Sequence, residues 1–183
     1  MSESPIALRL VTPADLTALR ELIPASVRAL SRGFYSPEQI ESAIRHVFGV
    51  DTQLIADGTY FAAHLRGQLA GCGGWSRRST LFGGDQMKVG PDPLLDPATE
   101  PARIRAFFVR PAHARLGVGS RILQECVRAA RAEGFRALEL AATLPGEPLY
   151  RAFGFQARER LDTLLPDGVT VTFIRMTRAI ELG

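Results

Sequence analysis

With 183 residues, 46% of them hydrophobic and 22% charged, the chain has the composition of a folded globular protein with a sizeable core, and length alone favours one or two domains. The net charge of +3 comes almost wholly from arginine, with Lys88 the single lysine, and no basic run is interleaved with aromatic residues, which argues against nucleic-acid binding. No apolar run approaches the ~18 residues of a membrane span, and the start MSESPIALRLVTPAD lacks the basic residues and long apolar stretch of a signal peptide, so a cytoplasmic protein away from membranes is expected.

In chain order, Ile6–Leu10 reads as a first strand. Thr12-Pro13-Ala14-Asp15 then starts a helix, with Thr12 as N-cap and Pro13 at the first helical position, and Leu16, Leu19, Leu22 and Ile23 follow at helical spacing. Ser36-Pro37-Glu38 repeats that chemistry ahead of Ile40, Ile44, Val47 and Phe48. Residues 59–65 and 69–76 straddle Arg66-Gly67-Gln68 as a hairpin. Residues 79–101, with Pro91, Pro93 and Pro97 and with Gly83, Gly84 and Gly90, predict an irregular loop, and a loop that long in a compact domain implies a site. After a turn at Pro166-Asp167-Gly168, residues 169–177 alternate as a terminal strand. Cys72 and Cys126 show no framework pattern, and Cys126 falls on an apolar helix face, which predicts a buried reduced thiol.

The most informative stretch is RIRAFFVRPAHARLGVGS, residues 103–120. An apolar run from Ile104 to Val109 stops at Arg110-Pro111, and Gly117-Val118-Gly119 opens a helix whose apolar positions are Val118, Ile122, Leu123, Cys126, Val127 and Ala130. The first N–H groups of a helix lack internal partners, the helix dipole adds positive charge there, and glycine lets the main chain approach a phosphate. Arg115 and Arg121 flank the glycines and can add charge-assisted hydrogen bonds. The pattern is not a dinucleotide fingerprint, because Ile122 stands where a third glycine is needed and residues 110–116 make the link too long. It is not a P-loop either, because Gly-Lys-Ser/Thr is absent. An ordinary strand–turn–helix with packing glycines is the competing reading, and the residues downstream decide.

After Glu133-Gly134, residues 137–142 (ALELAA) read as a fifth strand, and TLPGEPLYRAFGF follows, with a short helix closing at Gly154 as a left-handed C-cap. The two blocks together, VRPxxxRLGVGS and LYRAFGF, resemble the GNAT superfamily of acyl-CoA-dependent N-acetyltransferases. The specific match spans residues 103–155, with general layout alone shared elsewhere. The resemblance implies an α/β fold in which residues 1–183 form a single GNAT-like domain, its mixed central sheet splayed between strands four and five and flanked by helices. It implies that Phe107, Phe108 and Val109 offer their main chain to the pantetheine arm. It further implies that Arg115, Leu116, Gly117, Val118, Gly119 and Ser120 hold the pyrophosphate of acetyl-CoA, that Thr143 hydrogen-bonds the pantetheine, and that Tyr150 acts as general acid at the thiol. Ala114 departs from the pattern, which carries Gln or Arg there; Arg115 stands one place later.

By the same resemblance the reaction is acetyl transfer to a primary amine of a small molecule or peptide by direct attack, with a homodimer among the expected assemblies. A primary amine must lose its proton before it attacks, so a base is required. Glu139 on the fifth strand is the first candidate and Glu100 the second, because Arg103 or Arg105 occupies the usual carboxylate place on the fourth strand. His46, His64 and His113 have no metal-ligand spacing, and no metal is expected. Phe34, Tyr35, Trp75 and Phe82 are candidate walls of the acceptor pocket, and Arg77 and Arg78 candidate partners for an acceptor carboxylate. The alternative is a catalytically silent acyl-CoA-binding or sensing domain; transfer to a hydroxyl or of a longer acyl chain also stays open.

Overall fold

The computed structural model describes residues 5–181. Strand β1 (Ile6–Leu10) leads through a 3-10 turn at Pro13–Asp15 into α1 (Leu16–Leu30), α2 (Pro37–His46) and the short α3 (Thr52–Ala56). Strands β2 (Tyr60–Leu65), β3 (Gln68–Ser76) and β4 (Ala102–Val109) follow, then α4 (Val118–Ala132), β5 (Ala137–Thr143), α5 (Glu147–Ala152), β6 (Gln156–Leu164) and β7 (Thr170–Ala179). The strands form one sheet in the order β1-β2-β3-β4-β5-β7-β6, antiparallel everywhere except between β4 and β5. The parallel step needs a crossover, and α4 supplies it.

Local chemistry accounts for the starts and turns. The Asp15 carboxylate accepts from the Thr12 N–H at 2.8 Å, and Ser36 and Gln39 close a reciprocal capping box at the start of α2. Arg66 and Gly67 both have positive φ (52° and 78°), which matches the right-handed twist of the β2–β3 hairpin. Two elements escape periodicity. The five residues of α3 are too few to show a helical repeat, and the helix relies on Asp51 as its cap. β6 carries QARERLDTL, polar on both faces, because it is an edge strand bonded to β7 alone.

Each face of the sheet has its own core. Ile122, Leu123, Cys126 and Ala130 of α4 pack with Leu138, Leu140 and Ala142 of β5 and with Tyr150 and Phe155 on one side. Leu19, Leu22, Ile23 and Val27 of α1 join Ile40, Leu54 and Phe173 on the other. Among the described residues no helix is long and apolar enough to cross a membrane.

The feature that positions the site is the incomplete join between β4 and β5. They pair only at Ala102↔Leu138 and Arg103↔Glu139. Beyond that point Ile104–Val109 have no partner on β5, and the sheet opens into a V. On the other side of β4 the register with β3 skips Ala106 and Phe107, and Ala106 takes φ 57°, a bulge stabilised by the Tyr60 hydroxyl donating to the Ala106 carbonyl at 3.2 Å. Bulges re-aim side chains beside sites; this one turns the strand along the opening.

Candidate active site

The V encloses a cleft of about 210 Å³ lined by β4, β5, α1, α5 and the loop before β4. At one mouth stands the N-terminus of α4. Gly117 is its N-cap at φ 84°, and Arg115 also lies in the left-handed region at φ 62°. Nothing lies within 4 Å of a Cβ built on Gly117, so conformation rather than crowding demands glycine there. Arg121 is the first residue to donate back into the turn, to Gly117 O at 2.9 Å. The main-chain N–H groups of residues 115–120 therefore find no main-chain acceptor among the described residues. Arg115, Leu116 and Gly117 are exposed. Successive free N–H groups in a turn make an anion-binding concavity, here reinforced by the dipole of a fifteen-residue helix.

Further in, Phe107, Phe108, Val109, Gly119, Thr143 and Tyr150 all line the cleft. Their main chains are not equivalent. Phe108 pairs with Cys72 of β3, and the Val109 N–H donates to Ser26 Oγ of α1 at 3.2 Å, which leaves the bulged Phe107 as the unpaired stretch of the edge. Thr143 Oγ1 accepts from Gly146 N at 3.1 Å. Tyr150 is 8% exposed and packs edge-to-face on Phe107 and Phe155. Its hydroxyl has no hydrogen-bond partner among the described residues. Burial, with a smaller contribution from Cys126, pushes the phenol above its usual range, so it stays protonated and is available as a donor.

The opposite end of the cleft is apolar. Phe48, Phe82 and Phe173 form a cluster with centroids 6.0 and 4.9 Å apart, beside Val27, Leu30 and Val47. Loop 79–101 closes this end against residues 47–50: Gly84 N donates to Val47 O at 2.7 Å and Asp85 N to Val50 O at 3.0 Å. A Cβ on Gly84 would stand 2.9 Å from the Gly49 backbone, so the approach requires glycine. Among the described residues Arg105 is the one charged residue in the lining. Only 3% exposed, it donates to Asp51 Oδ2 at 2.7 Å and to the carbonyls of Thr80 and Gly83, tying the loop to β4. Burial draws its pKa down while Asp51 draws it up, and a guanidinium stays charged under both. Lys88 also pairs with Asp51.

Several expected residues lie elsewhere. Glu139 sits at the closed base of the V, its two oxygens taken by Arg103 and by Arg175 (2.8 Å), outside the cleft lining. Glu100 accepts from Asp96 N at 2.7 Å within its own turn. Arg77 pairs with Glu133 and stacks over Trp75, and Arg78 pairs with Asp57, so neither guanidinium faces the cleft and the reading of them as acceptor anchors is corrected. Trp75 is 1% exposed in the core against Phe135, Tyr35 is buried behind the cleft, and Phe34 is half exposed at the surface; of the four expected wall aromatics, Phe82 lines the cleft. Ser26, Phe48, Arg105 and Phe173 join the site without any local motif, because contacts across 54 residues (Asp51 to Arg105) or 83 residues (Ser26 to Val109) leave no spacing signal.

A family model described as Acetyltransferase (GNAT) family matches residues 25–155, most of the chain, and the chain belongs to that family. Solved structures agree on the fold. A GCN5-related N-acetyltransferase from Rhodopseudomonas palustris superposes with TM-score 0.69 at 22% identity, covering 98% of both chains. The PaiA N-acetyltransferase from Thermoplasma acidophilum, solved with coenzyme A, gives 0.64 at 17% identity over 98% of this chain and 99% of that one. The ribosomal-protein-S18-alanine N-acetyltransferase from Escherichia coli gives 0.58 at 16% identity over 97% and 96%. No curated protein matches significantly in sequence.

Proposed function

We propose that the protein transfers an acetyl group from acetyl-CoA to a primary amine of a small molecule or peptide. The observation that carries this reading is the row of free main-chain N–H groups at residues 115–120 at the mouth of a split sheet with a protonated, unpartnered tyrosine inside it. Those residues fit a diphosphate: the helix dipole, the exposed turn and the open space over Gly117 suit an anion whose oxygens need several donors at once. The unpaired main chain at Phe107 suits the amides of a pantetheine arm, as an added strand would.

When bound, acetyl-CoA supplies an activated thioester, from which the amine nitrogen takes the acetyl group as the N–C bond forms and the C–S bond breaks. The Tyr150 hydroxyl would give its proton to the departing sulfur, and the proton lost by the acylated nitrogen would restore the phenol, directly or through water. An N–H of the β4 edge at the bulge polarises the carbonyl oxygen. Phe107 and Phe155 fix the ring of Tyr150, and Ser26 fixes β4 through Val109, so the donors are preorganised. Glu139, with both oxygens engaged by guanidinium groups, serves in this reading to anchor the closed end of the V. Isothermal calorimetry with coenzyme A, followed by thiol release from acetyl-CoA across a panel of amines, tests the proposal. Saturable binding without release for any amine supports the second reading, a sensing domain, for which the lack of a carboxylate or imidazole among the described lining residues speaks.

A further inference from the structure

The acceptor end of the cleft has a composition that restricts the amine. Its walls are Phe48, Phe82, Phe173, Leu30 and Val47, and its one ionic group among the described residues, Arg105, is neutralised by Asp51 behind it. Among the described lining residues none carries a carboxylate or an imidazole. A site built this way offers no counter-charge to an ammonium and no side chain within it to take the proton from one. Burying an ion without a partner is costly, so the amine has to enter neutral. Lysine-type amines titrate near ~10.4 and α-amino groups near ~7.8, so at neutral pH the neutral fraction differs by roughly 400-fold between them. The lower nucleophilicity of a weaker base offsets part of that advantage.

Resting on the transfer reading above, we infer that the acceptor is a weakly basic primary amine, of the α-amino or aryl type, attached to an apolar group of about aromatic size, rather than a polyamine, an aminoglycoside or a lysine side chain. The aromatic cluster takes the apolar group by area burial, at ~25 cal/mol per Å², and the closed loop over Gly84 limits its length. Arg105 contributes position rather than charge, since its donors are directed to Asp51, Thr80 O and Gly83 O.

The test compares phenylalanine amide, 2-phenylethylamine, glycine amide and spermidine as acceptors for thiol release from acetyl-CoA at pH 7, with coenzyme A binding measured in parallel. Phenylalanine amide is expected to exceed each of the other three in kcat/KM by about tenfold or more, and the advantage over 2-phenylethylamine should shrink as pH rises toward 10. Leu30→Glu, which places a carboxylate at the mouth of the cleft where Leu30 is 36% exposed, is expected to raise the spermidine rate relative to phenylalanine amide. Spermidine equal to or better than phenylalanine amide in the unmodified protein, or 2-phenylethylamine matching it at pH 7, overturns the inference while leaving transfer intact. Binding of coenzyme A with no release from any of the four overturns the inference and leaves transfer to the wider amine panel, and no binding of coenzyme A removes the transfer reading itself.

Discussion

Burial holds the Tyr150 phenol above its ordinary range, so the hydroxyl keeps its proton throughout the pH window in which an amine loses one, and it can meet a leaving thiolate without first being protonated. Tyr150→Phe is expected to lower kcat by about a hundredfold, with the dissociation constant for coenzyme A within about twofold of the original by calorimetry, since the ring packing survives. A matching loss in both would assign the hydroxyl to binding. The pH profile of the unmodified protein should rise as the acceptor deprotonates and show no falling limb below pH ~10, because the acid is not titrating there. Tyr35 has a purely architectural task. Its hydroxyl donates to the Thr172 carbonyl at 2.6 Å and accepts from Leu144 N at 3.0 Å, joining the loop after α1 to β7 and to the end of β5. Tyr35→Phe leaves both main-chain groups without that partner and should cost about 1–3 kcal/mol in denaturant unfolding.

Two elements depend on glycine for different reasons, and substitution separates them. At Gly117 the backbone sits at φ 84° in open space, so Gly117→Ala strains the turn by about 1–2 kcal/mol without a clash. The expected outcome is weaker binding of coenzyme A with the acceptor KM little changed. At Gly84 the backbone is ordinary but a Cβ meets the Gly49 main chain, so Gly84→Ala pushes loop 79–101 away from residues 47–50. That should raise the acceptor KM and destabilise the protein by about 1–3 kcal/mol, with coenzyme A binding preserved. Crossed results, with cofactor affinity lost in the second variant, would mean the two ends of the cleft are not independent.

Over the whole molecule, titration sets the range of stability. Hydrogen bonds from Arg9 hold Asp15 well below the usual carboxylate range, and those from Arg78 lower Asp57 as well. Groups with lowered folded pKa values stabilise above their unfolded value of ~3.9 and lose that contribution as pH falls toward the folded one. Burial acts at the other end, pushing both Cys72 and Tyr35 up to about 12. Raised pKa values stabilise below the unfolded values of ~8.5 for cysteine and ~10 for tyrosine, and that contribution disappears as pH climbs through the interval. Thermal melts should therefore show a plateau between pH ~5 and ~8, a decline beginning near ~8.5 and a steeper one above ~10. Cys126 is buried in the same way and its thiol is likewise raised, so the first alkaline step should shrink in Cys72→Ala and vanish in the double variant Cys72→Ala/Cys126→Ala.

Read alone, the sequence determined what local chemistry determines: the helix starts at Thr12 and Ser36, the Arg66-Gly67 hairpin, the glycine-opened helix after β4, and the pairing of two nearby motifs that carry the family. These signals lie within a few residues of one another, where backbone preference and hydrophobic period act directly. The edge strand β6 was illegible because a strand with two polar faces has no alternation to read. The acceptor end was illegible for a different reason. Arg77 and Arg78 drew attention as neighbouring charges, yet Glu133 and Asp57 take them, whereas Arg105 is brought to the cleft with Asp51 against it. Which charges face a site is settled by partners far away in the chain, since a buried guanidinium goes where its counter-ion and carbonyl acceptors are. Only the tertiary structure, by opening β4 from β5 and folding a loop back over the gap, decided which side chains meet there.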